Sequence, residues 1–126
     1  MSELEPIDVP SHVTAYEARH HLPALVGTAR QISWARLIRH TLLTEMQAMM
    51  VEAKDTSPEK ARSVHVALEW LHGETDSNKW IDHREFRGDA KALVASVTAE
   101  MDDWAKMERQ AMAEAAAILG TIAPVL

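Results

Sequence analysis

DAKALVASVTAEMDDWAKMERQAMAEAAAIL, Asp89 to Leu119, decides the fold. Val94, Val97, Met101, Trp104, Glu108, Ala111, Ala115 and Ile118 follow one another at alternating intervals of three and four. That spacing stacks side chains a turn apart on one side of an α-helix. Lys91, Ser96, Asp102, Asp103, Lys106 and Arg109 fall on the other side, so one face is wet and the other needs cover. Glu108 alone interrupts the apolar line, and Trp104 is expected in the core. At about 1.5 Å per residue this helix is roughly 45 Å long. The other elements are too short to cover it all, so its end and the apolar tail after Gly120 are expected to finish their burial against a second copy of the chain.

Working back from that stretch, Ile32, Ala35, Arg39, Leu42, Met46, Met49 and Ala53 repeat the same alternation and predict a helix over 28–54. Arg39 stands in its seam as Glu108 stands in the later one, and the two helices, 28–54 and 89–119, are expected to lie flank to flank along these seams. Asp55-Thr56-Ser57-Pro58 ends that helix and starts another: Ser57 is a good cap, and Pro58 suits the first helical position, where a missing N–H costs nothing. Ala61, Val64, Leu68 and Leu71 form the third seam. Gly73 is expected to end it in the left-handed conformation. Asp76 or Ser77 can cap a short helix through Trp80, Ile81 and Phe86, and Gly88 separates it from the long one. Near the start, Ser11 is expected to cap a helix to about Leu22, with Val13, Tyr16 and His20 on one side, before Pro23 and Gly27 break it.

Composition agrees with the spacing. Of 126 residues 47% are hydrophobic, chiefly Ala, Leu, Val and seven Met, with one Phe and one Tyr. Such residues favour helices, while the aromatic and β-branched types that suit sheets are scarce. The expected architecture is all-α, an antiparallel bundle of three to four main helices with a long C-terminal one. Residues 1–10 form a flexible lead-in and 11–126 a single domain.

A net charge of −6 argues against direct nucleic-acid binding, which needs clustered Lys and Arg; the densest basic stretch, Arg30 to Arg39, holds three Arg. With no Cys, thiolate chemistry and disulfides are excluded. The acidic start does not resemble an export signal, and the longest uncharged run, 115–126, is too short to span a bilayer. A cytoplasmic protein without a membrane role is the expectation.

Two groups of residues are candidates for chemistry. Glu17 with His20, and Glu69 with His72, each form a Glu-x-x-His pair, and His65 shares a helix face with the second. Di-iron bundles use two such pairs plus further carboxylates, because a carboxylate can bridge two cations while imidazole fills a terminal position. Yet His65, Glu69 and His72 each directly follow a seam residue, about 100° around the helix, at the wet flank of the core. Glu100-x-x-Asp103 resembles half of the metal-binding signature of the all-α nucleoside triphosphate pyrophosphohydrolases like MazG, which implies Mg²⁺ held against substrate phosphates. That family also carries a doubled Glu, which this chain lacks: Glu45 and Glu52 stand seven apart. Iron or Mg²⁺ therefore belongs to an alternative, a metal-dependent bundle enzyme.

Arg39 and Glu108 make the second group. A lone buried charge is costly and a paired one tolerable, so two seams are expected to align these residues as a register-setting ion pair, within one chain or across a dimer. Otherwise Arg39 is free to bind a ligand carboxylate. Trp34 and Trp70 lie beside their seams rather than on them, placed either to fill a second bundle face or to anchor an interface, where Trp is enriched. No Gly-rich phosphate loop, His-Glu-x-x-His or Gly-x-Ser-x-Gly is present. The expected function is a non-catalytic acidic module that binds another protein, as a homodimer, with Arg39, Glu108, Trp34 and Trp70 at its interfaces.

Overall fold

The computed structural model describes residues 6–122, with side chains from 6 to 120. Its helices are α1 (Ser11–Arg19), α2 (Ala29–Lys54), α3 (Pro58–His72), α4 (Ser77–Asp82), a 3₁₀ turn at His83–Phe86, and α5 (Ala90–Ile122). The described chain is all-α, and none of its helices is long and apolar enough to cross a membrane. The expected burial of the apolar tail's end, and the lead-in at residues 1–5, lie outside the described residues.

α2 is the element the others pack against. Thr28 starts it with a capping box: its hydroxyl accepts from the Gln31 N–H at 3.2 Å, and the Gln31 side chain accepts from the Thr28 N–H at 3.0 Å. Ala35, Arg39, Leu42, Met46 and Ala53 are buried, as the seam requires, with Ile32 and Met49 partly so. Ile38 and Leu43 are buried too, because neighbours cover α2 on more than one side.

Ser57 caps α3 through the Lys60 N–H, with Pro58 at the first position, and Val64, Ala67, Leu68 and Leu71 face inward. Gly73 ends α3 in a right-handed conformation (φ −85°), so the expected left-handed terminus is corrected. The Gly73 and Glu74 N–H groups close the last turn on Trp70 and Leu71, and no positive φ is needed. Asp76 caps α4 by accepting from the Asn78 N–H at 2.9 Å. α4 delivers Trp80, fully buried, whose indole N–H donates to the Glu74 carbonyl at 3.1 Å.

α1 is shorter than the spacing suggested. Pro10 rather than Ser11 stands at its cap, without a side-chain hydrogen bond, and the helix stops at Arg19. His21 then takes φ +52°, a left-handed conformation few non-glycine residues adopt, and the Leu22 N–H turns back to the Glu17 carbonyl. The strand-like segment after it is tied to the turn before α4: the Val26 N–H donates to Thr75 O and the Ser77 N–H to Val26 O.

Gly88 (φ +80°) turns the chain into α5, and its N–H donates to the Glu45 carboxylate at 3.0 Å. Leu93, Val94 and Val97 bury against α2 and α3, and Met101 lies partly covered. Beyond that point every residue of 102–120 is exposed except half-buried Ala105. Two expectations are overturned here. Trp104 is 57% exposed, not core, and α2 and α5 do not lie together along their lengths. α3 is the main neighbour of α2 instead. The two halves of the α5 stripe have the same spacing but different material, since Leu93, Val94 and Val97 meet the folded body and the Ala-rich outer turns extend past it.

Candidate functional site

Among the described residues, Arg39 is the one deeply buried guanidinium or ammonium group, 3% exposed. Its position in the α2 seam turns it inward, where a guanidinium needs a counter-charge. Glu17 from α1 supplies it, accepting from Arg39 Nη2 at 2.6 Å while Arg39 Nη1 donates to the Pro23 carbonyl at 2.9 Å. Arg36, one turn earlier on α2, donates to the same carboxylate through Nε at 2.9 Å and also through Nη2. A second Nη2 bond reaches the Thr14 hydroxyl. Burial alone would push the Glu17 carboxyl up, but the hydrogen bonds and charges of Arg36 and Arg39 outweigh it and hold the group below its ordinary value. Burial dominates at Arg39, whose pKa falls despite Glu17, with Arg36 adding to the fall. At Arg36 the bond to Glu17 wins and the pKa rises.

Around this knot lie Tyr16 and several histidines. Tyr16 packs on His20 with ring centroids 4.2 Å apart and edge-on to His40 at 5.0 Å; His40 meets His12 at 5.1 Å. Burial lowers the pKa of His40, helped by His12 and opposed by Glu17. His72, reaching in from α3, is lowered by burial, then by His20 and Arg39, with Glu69 opposing. Tyr16 Oη, Arg39 Nε and His72 Nε2 are buried with no hydrogen-bond partner among the described residues. A cavity of about 450 Å³ opens beside the knot, lined by Glu17, Leu22, Pro23, Ala24, Leu25, Ile32, Arg36 and Arg39.

The expected pairing of Arg39 with Glu108 is therefore corrected within the chain: Arg39 is taken by Glu17, and Glu108 is exposed on outer α5. The Glu-x-x-His pairs do not come together as a ligand set. Glu17 is held by two guanidiniums, which compete with any cation. His65 and Glu69 pair with each other at 3.2 Å on the exposed face of α3. Of the five residues, only Glu17, His20 and His72 sit around the knot, and no group of three His, Asp or Glu is arranged to hold a metal among the described residues. Glu100 is paired with Lys79 across α4 and α5, and Asp103 is exposed. Trp34 and Trp70 are each 37% exposed; the Arg84 guanidinium covers the Trp34 ring at 5.6 Å, and Trp70 borders a shallow recess with Gly73, Glu74 and Glu100.

Sequence reasoning missed the partner of Arg39, although a signal was present. Glu17 is the sole acid between Asp8 and Glu45, so a buried Arg on the first half of α2 had one nearby carboxylate to choose. Trp80 was also missed as the buried tryptophan, because α4 is too short for a seam.

The second candidate feature is the outer half of α5. Trp104, Met112, Ile118 and Leu119 are 57–67% exposed on one side of the projecting helix. They continue the stripe that Leu93, Val94 and Val97 bury. No family model, curated protein or solved structure matches the chain.

Proposed function

We propose that the protein is a non-catalytic helical module that acts by association with another protein chain, and that the outer half of α5 is the surface it uses, paired first with the same segment of a second copy. The supporting observation is the uncovered stripe itself. Its exposed apolar residues sit at helical spacing on a single face, whereas exposed apolar residues on an ordinary surface are scattered. Trp104 offers the anchor type that dominates interface energetics, and Met107 and Met112 offer adaptable apolar surface.

Charge favours a second copy as the occupant. The whole chain carries −6, but between 104 and 120 Lys106 and Arg109 balance Glu108 and Glu114. Two such segments meet without net repulsion, and Glu108 of one copy has Lys106 and Arg109 of the other within its choice of partners. Small Ala side chains along the stripe allow close approach of two helices. The cytoplasm is the proposed setting.

Sedimentation velocity over a range of protein concentrations tests this. The wild-type chain is expected to dimerise, and Ile118→Glu, which places a charge in the stripe, to give a folded monomer. A wild-type chain that stays monomeric at every concentration, with Trp104 emission unchanged throughout, defeats the proposal.

A further inference from the structure

We propose that the cavity between α1, the 22–25 segment and the start of α2 binds a small monocarboxylate with a compact aliphatic body, held through Arg36 and Arg39. This site is independent of the association surface on α5.

Charge is the first support. Between residues 9 and 44 the chain holds four Arg and one acid, Glu17, within a protein that is otherwise strongly acidic. At the knot itself two guanidiniums share one carboxylate, which among the described residues leaves one positive charge unmatched beside the cavity. A buried charge without its counter-ion is expensive, and a bound monoanion supplies that counter-ion. A phosphate dianion would overshoot it.

Hydrogen bonding is the second. Arg39 is 3% exposed and lines the cavity, yet its Nε–H has no acceptor among the described residues. A guanidinium carries five N–H donors, and a carboxylate is the acceptor whose planar geometry matches it. Arg36 approaches the same space from one turn away and is only partly covered, so it can shift toward a ligand while still touching Glu17.

The rest of the wall sets the body of the ligand. Leu22, Pro23, Ala24, Leu25 and Ile32 are apolar, and about 450 Å³ falls within the range of small-molecule sites. The wall is also preorganised: Pro23 O is pinned by Arg39, Leu22 N–H by Glu17 O, and Val26 on both sides by Thr75 and Ser77. His21, next in the chain to the lining residue Leu22, takes a left-handed backbone conformation that surrounding structure must enforce.

The test uses the full chain with hexanoate, hexanol and hexylammonium as probes, read by calorimetric titration and by backbone amide shifts. Hexanoate is expected to bind saturably, to raise Tm as a native-state ligand does, and to move the amides of Leu22, Ala24, Leu25 and Ile32. Hexanol and hexylammonium are expected to bind at least about tenfold more weakly, since each lacks the charge-assisted bonds to guanidinium. Arg39→Leu removes an anchor of the fold as well as a charge, so Arg36→Gln, at a half-buried side chain, carries the comparison, with an expected loss of about tenfold. Ile32→Trp, which fills the cavity, is expected to abolish binding in a folded protein. Equal affinities for hexanoate and hexanol overturn the proposal, as does hexanoate binding that neither variant alters. Ile118→Glu is expected to bind hexanoate as the wild type does, so failure of the association surface and failure of this site read out separately.

Discussion

α2 and α5 carry the same alternation of three and four, and they end in opposite environments. α2 is covered along both its seam and an adjoining face by α1, α3, α4 and α5. α5 is covered for about its first three turns and then leaves the body of the molecule. Spacing states that a helix has a face to bury; it does not state what buries it. The supply of neighbouring surface decides that, and α3 and α4 are too short to follow α5 outward. A stripe that the other described residues leave uncovered is what the proposed association surface rests on.

That contrast can be broken or sharpened by experiment. The largest effect is expected around α2: Trp80→Ala removes a fully buried ring and the bond to Glu74, at a cost of about 3–5 kcal/mol in denaturant unfolding. A loss below about 1 kcal/mol would show that the α2–α4 contact is not the packed centre described above. Glu17→Gln should follow, at about 3 kcal/mol, because it leaves Arg39 buried without a counter-charge. If Glu17→Gln instead proves neutral, α1 is not held to α2 by its charges.

Acid separates the two regions next. His40, His72 and His83 have folded-state pKa values lowered mainly by burial, so the unfolded chain binds protons more readily. Stability is therefore full above the ordinary histidine value of 6.5 and falls as the pH drops below it. Glu17, also lowered, contributes fully above its ordinary 4.5, and its contribution is lost as pH falls through the folded value. Tm is expected to decline from neutral toward pH 4, while hydrogen exchange in 104–119, which holds no histidine, is insensitive to the histidine step in a monomeric variant. Smaller still is Thr28→Ala, which deletes the capping box of α2 for about 1 kcal/mol. Smallest is Ile118→Ala, expected to change the unfolding of dilute monomer by less than about 0.5 kcal/mol while weakening association measured at high concentration. A larger monomer effect would mean that the stripe is covered within the chain.

Local signals carried most of the fold. Thr28, Ser57, Pro58, Asp76 and Gly88 each mark a boundary through chemistry confined to a few neighbouring residues, and each boundary is where those residues put it. Features set by contacts distant in sequence were less legible. Arg39 was recognisable as a buried charge from its seam, but Glu108 and Glu17 were both carboxylates on helices, and the choice depended on which helix packs at that level. The outward half of α5 keeps the spacing of a core helix, so Trp104 read as core although nothing reaches it. His21 and the unpartnered Arg39 Nε leave no trace in residue pattern at all, because both arise where α1, the following segment and α2 converge.

The cross-tie between Val26 and the 75–77 turn joins two segments some fifty residues apart in the chain, where Gly27 also lies close against Ser77. It joins the wall that includes Leu25 to the turn whose Glu74 carbonyl grips the Trp80 indole. A shift at one end is expected to pass through these hydrogen bonds to the other. Trp80 thereby serves as a remote gauge of cavity occupancy: its emission should respond to hexanoate in the wild-type chain and fall silent in Ile32→Trp once the added indole's own signal is subtracted.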